Sequence, residues 1–122
     1  MDLLTPTNHA GAYEWAAVYL AHFAIGIAIT AIIAAFLDWV ADEWIDARGE
    51  VALALSIAGY FLIWEGVVQG YGAGFGDAAL DTFAFAMGGL VGVLAWYRRG
   101  VALAASLAAT AGVLWAGVRA RK

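Results

Sequence analysis

Four times in 122 residues the chain runs apolar for long enough to cross a bilayer. A hydrocarbon core of ~30 Å takes about 20 residues of helix, and inside lipid only helices and closed barrels satisfy their own backbone hydrogen bonds. The expected helices are 12–37, 51–68, 78–97 and 101–118, with an acidic amphipathic connector at 38–50. Short loops between them predict an all-α, single-domain integral membrane bundle of four transmembrane helices with up-down-up-down connectivity. Composition points the same way, because a chain that is 65% hydrophobic and 13% charged lies far from the balance of a soluble domain.

Local signals mark the ends of these runs. Thr5, Pro6, Thr7 and Asn8 read as a non-helical start that offers an N-cap. Tyr13, Trp15 and Tyr19 at the start of the first run, and Trp39 and Trp44 beyond its end, are expected to form aromatic belts at the two headgroup levels. Asp38, Asp42, Glu43, Asp46, Arg48 and Glu50 crowd the connector; its polar side is acidic where membrane-surface helices are usually basic, so a solvated connector is expected. The run GVVQGYGAGFG is dense enough in glycine to reverse the chain, and Asp77 follows as a cap for the third helix. Arg98, Arg99 and Gly100 form a tight hairpin before the fourth. Counting basic residues gives Arg48, Arg98 and Arg99 on one side and Arg119, Arg121 and Lys122 on the other, a tie that assigns neither face to the cytoplasm.

Several functions are excluded or weakened by the same residues. With no cysteine there is no disulfide framework or thiol nucleophile. A net charge of −4 argues against nucleic acid as a partner, since that requires a basic surface. No nucleophile with an adjacent base, phosphate loop or cofactor motif is present, so a non-enzymatic role is expected. Small residues at helical spacing, Gly88 and Gly92 in the third helix and Ala108, Gly112 and Ala116 in the fourth, suit close helix packing. They are expected inside the bundle, or on a self-association face.

An ionisable group in hydrocarbon is expensive and should face the bundle interior with a partner. His22, Glu65, Gln69, Asp77 and Asp81 all fall toward one end of the expected bundle. The helix macrodipole disfavours negative charge at Glu65, near a C-terminus, and favours it at Asp77 and Asp81, near an N-terminus. Three accounts compete for this cluster: a structural polar plug, a binding site for a polar headgroup or small ligand, and a divalent-cation or catalytic centre, for which the H-E-x-x-H spacing is missing. The five residues are therefore assigned as a ligand-binding or polar cluster, with no catalytic residue, cofactor or metal expected.

From Glu65 onward the chain resembles the VanZ-like family of small membrane proteins, on Glu65 and Gln69 followed by DTFAFAMGGLVG with Asp81, Gly88 and Gly92. His22 and Phe23 are similar to a His-Phe pair in an earlier helix of that family. Phe85 stands where the family usually carries Asn, and the intervening GYGAGFG lacks the family's arginine. The resemblance implies an envelope-related role, teicoplanin resistance being associated with members. It leads to the expectation of a non-enzymatic membrane protein, in a bacterial inner membrane or encoded by a virus of bacteria or archaea, that binds a lipid-linked or amphipathic ligand, or a partner, at the polar cluster. The alternatives are a holin-like self-assembling protein and an accessory subunit of a larger membrane complex. Expected partners are thus membrane lipids and a second copy or larger assembly.

Overall fold

The computed structural model describes residues 11–41, 43–72 and 74–121. Among them it has four helices and no strand: α1 (Ala12–Val40), α2 (Arg48–Gly59) prolonged by a π-wound segment (Tyr60–Val68), α3 (Phe75–Trp96) and α4 (Gly100–Arg119). All four are long and apolar enough to cross a membrane. The cap expected at Thr5 to Asn8, Asp42, Lys122 and the side chain of Asp77 lie outside the described residues.

Glycine sets the core because helices in lipid associate by close backbone approach rather than by hydrophobic expulsion. A Cβ on Gly88 would collide with the carbonyl of Phe23, one on Gly26 with the carbonyl of Phe85, and one on Gly92 would lie 3.0 Å from the Ile27 carbonyl oxygen. These contacts seat α1 on α3, and the two run parallel, with His22 meeting Asp81 toward one end and Asp38 meeting Trp96 at the other. α2 runs the other way along α1: Thr30 meets Ser56 at 2.7 Å, and Ala34 and Leu37 cluster with Ala52. Ser56 Oγ donates to the Leu53 carbonyl at 2.9 Å, which leaves the Thr30 hydroxyl as the donor between the two helices. α3 is central, half of its span being buried against 11% for α4.

α4 docks on a different face from the one expected. Trp15 occupies the notch at Gly117, where a Cβ would strike its ring, and Val113, Leu114 and Val118 close around Trp15, Tyr19 and Ala84. That rotation turns Ala108, Gly112 and Ala116 outward, and a Cβ on Gly112 would meet nothing within 4 Å. Trp15 and Tyr19 are accordingly core residues, 5% and 2% exposed, rather than part of a belt; Tyr13, Trp39 and Trp44 are the exposed aromatics at those levels. Arg121 lies over the Trp15 ring at 4.8 Å and donates to the Gly117 carbonyl at 3.1 Å, placing a cation at the negative end of α4.

The acidic connector is shorter than expected, since α1 continues to Val40 and α2 begins at Arg48. Asp38 is therefore helical, and its carboxylate joins three elements. It accepts from Arg48 Nε at 2.6 Å, Trp96 Nε1 at 2.7 Å and Tyr97 Oη at 2.9 Å. Burial, with the bond to Asp38 second, raises the Tyr97 phenol above its ordinary value, so it remains a donor at neutral pH. Asp77, expected as the cap of α3, instead stands within its first turn, the helix starting after Gly74 at φ 107°.

Candidate functional site

His22 and Asp81 are brought together by the α1–α3 glycine seam. Their side chains approach at 3.6 Å, Nε2 to Oδ2. The ring's other nitrogen, Nδ1, lies 2.9 Å from the Val18 carbonyl oxygen one turn back on α1. A carbonyl only accepts, so Nδ1 carries the hydrogen, and in the neutral ring Nε2 presents a lone pair toward Asp81.

Glu65 joins them from the π-wound segment that prolongs α2. In an α-helix residues five apart lie about 140° apart around the axis, so Tyr60 and Glu65 would face different directions. The π-winding of Tyr60–Val68, whose hydrogen bonds run i→i+5, stacks them instead, and Tyr60 Oη donates to Glu65 Oε1 at 2.6 Å. Tyr60 is itself held by Phe85, stacked at 4.4 Å and 20°, and meets His22 edge-on at 6.0 Å. His22, Glu65 and Asp81 each offer one ligand atom, and the three lie within 4.8 Å of one another. Both acids are 3% exposed.

Of the five residues expected at the cluster, three therefore converge. Gln69 is exposed and sits at the rim of the adjoining groove, and the position of the Asp77 side chain lies outside the described groups. Tyr60 and the Val18 carbonyl were not foreseen: the sequence signal for Tyr60 is an aromatic five residues before a buried acid, which α-helical periodicity places on the wrong side. Phe85 is fully buried and forms the platform on which Tyr60 stacks.

A groove of about 550 Å³ opens between α1 and the π segment beside this cluster. Ile25, Ile29, Ile33 and Ile63 form its walls, while His22, Asp81 and Gln69 mark its polar end. Ile25, Ile29, Ile63 and Trp64 are all substantially exposed on the outside of the bundle, so the groove opens sideways between helices. No family model matches the chain, and no curated protein or solved structure matches it.

Proposed function

We propose that the protein is a membrane-embedded binding protein for an amphipathic molecule, whose hydrocarbon chain lies in the groove between α1 and α2 and whose polar group reaches His22, Asp81 and Gln69. The groove itself carries this reading. Its volume, about 550 Å³, falls in the range of small-molecule sites, and apolar walls with a few convergent polar groups are their usual chemistry. A VanZ-like role in an envelope, in a bacterial inner membrane or a viral setting, belongs to the same proposal and rests on Glu65, Asp81, Gly88 and Gly92. In the test, the protein is reconstituted in vesicles containing a photoactivatable single-chain amphipath, and crosslinks are mapped by mass spectrometry. Labelling should concentrate on Ile25, Ile29 and Ile63 and fall at least fivefold in Ile29→Trp, which fills the groove. Labelling spread evenly over the lipid-facing residues of α4, and indifferent to Ile29→Trp, would sink the proposal.

A second reading, self-association, is favoured by one observation: the outward row of Ala108, Gly112 and Ala116 on α4, the least covered helix. Because the chain has no cysteine, Ala108→Cys gives a single crosslinking site. Disulfide-linked dimers in membranes that disappear with Gly112→Leu support self-association through this face, and monomer alone removes it.

A further inference from the structure

We infer that His22, Glu65 and Asp81 form a binding site for one divalent transition-metal ion, with three ligands drawn from three helices and a further coordination position on the groove side.

Three lone pairs converge. His22 Nε2 and Asp81 Oδ2 are 3.6 Å apart, and with a Glu65 oxygen they fall within 4.8 Å of one another. Donors around an ion with bonds of about 2.1 Å stand roughly 3 to 4 Å from each other, so closing on an ion takes shifts smaller than a rotamer change. The surroundings fit as well. Histidines that ligate metals characteristically donate their other N–H to a carbonyl or carboxylate, and ligating carboxylates accept outer hydrogen bonds. Both features exist here, in the contact from His22 Nδ1 to the Val18 carbonyl and the bond from Tyr60 to Glu65.

Charge points the same way. In the deprotonated form that metal ligation requires, two carboxylates and an imidazole sum to −2 in a place where lone charges are strongly disfavoured, and a dication brings that sum to zero. The donor set selects the kind of ion: imidazole suits zinc, iron and nickel, whereas carboxylates extend the range to manganese, and magnesium or calcium would prefer oxygen alone. Three protein ligands leave room for one more, as in metal sites that also hold water or a ligand, and His22 and Asp81 both line the groove. An ion here goes beyond the binding of an amphipath and does not rest on it.

The full chain, stripped with a chelator and reconstituted in nanodiscs, is titrated with Mn²⁺ and followed by electron paramagnetic resonance. One ion per chain is expected, displaced by Zn²⁺, which stands above manganese in intrinsic affinity. Glu65→Gln and Asp81→Asn should each weaken binding at least a hundredfold, and Tyr60→Phe about 10- to 100-fold, the usual effect of losing an outer partner. Pulsed spectra of the wild type should show imidazole nitrogen coupled to Mn²⁺. The chain has two histidines, so His9→Ala should retain that coupling and His22→Ala should lose it. The wild type and His9→Ala decide the matter even if a carboxylate variant fails to fold. Absence of a bound ion, or a bound ion with no nitrogen coupling in His9→Ala, overturns the site and leaves a metal-free polar cluster.

Discussion

Asp38 shows how much one side chain can carry in a thin bundle. Its two oxygens receive Arg48 from α2, Trp96 from the end of α3 and Tyr97 just beyond it, so three helices are tied at one end by a single carboxylate. Hydrogen bonds to charged groups contribute more than neutral ones, and Asp38→Ala is expected to lower stability by about 1 to 3 kcal/mol. The change is read as a fall in the thermal midpoint in detergent; an unchanged midpoint would show the clasp to be ornamental. The pH dependence has a definite sign. Tyr97 has its pKa raised in the folded protein, so its contribution is fully present below the ordinary tyrosine value of about 10 and disappears as pH rises through the higher folded value. Stability of the wild type should therefore fall more steeply above that range than stability of Tyr97→Phe. None of this was legible in the sequence, where Asp38 stood with five other charged residues and read as solvated. Hydropathy registers that a carboxylate is polar but not which donors from distant elements will meet it.

At the level of helices, spacing was informative wherever winding was α-helical. The four spans could be read from apolar run length, and Gly88 and Gly92 from their four-residue interval, because both depend on local periodicity. What could not be read was rotation. α4 is turned by the insertion of Trp15 at Gly117, a contact between opposite ends of the chain, and the π segment changes which residues share a face. Gly88→Leu should separate α1 from α3 and cost more than about 3 kcal/mol, the scale of severe overpacking in a core, whereas Gly112→Leu on the outer face should stay within about 0.5 kcal/mol. Equal effects of the two would contradict the seam. The π segment makes a sharper prediction. Deleting Leu62, an exposed residue between Tyr60 and Glu65, converts their interval from five to four, and residues four apart share a face of an ordinary α-helix. The deletion should keep helical content and thermal stability at or above the wild type. An alanine inserted at the same place should part the two side chains and destabilise the protein.

Across the whole molecule, coverage is uneven: α3 is wrapped, α4 leans on it, and α1 and α2 leave a lateral opening lined by Ile25, Ile29 and Ile63. Convergence of His22, Glu65 and Asp81 at one end followed from depth along the chain, since His22 lies early in α1, Glu65 late in the π segment that prolongs α2, and Asp81 early in α3. Their mutual orientation required the glycine seam and the π turn, and so appeared only in three dimensions. The sideways direction of the opening bears on how any occupant reaches it. A guest that enters between two helices arrives from the hydrocarbon phase, so its effective concentration is its mole fraction among lipids, not its molarity in buffer. Diluting the vesicles in water should then leave occupancy unchanged, while adding plain phospholipid at constant volume should empty the groove.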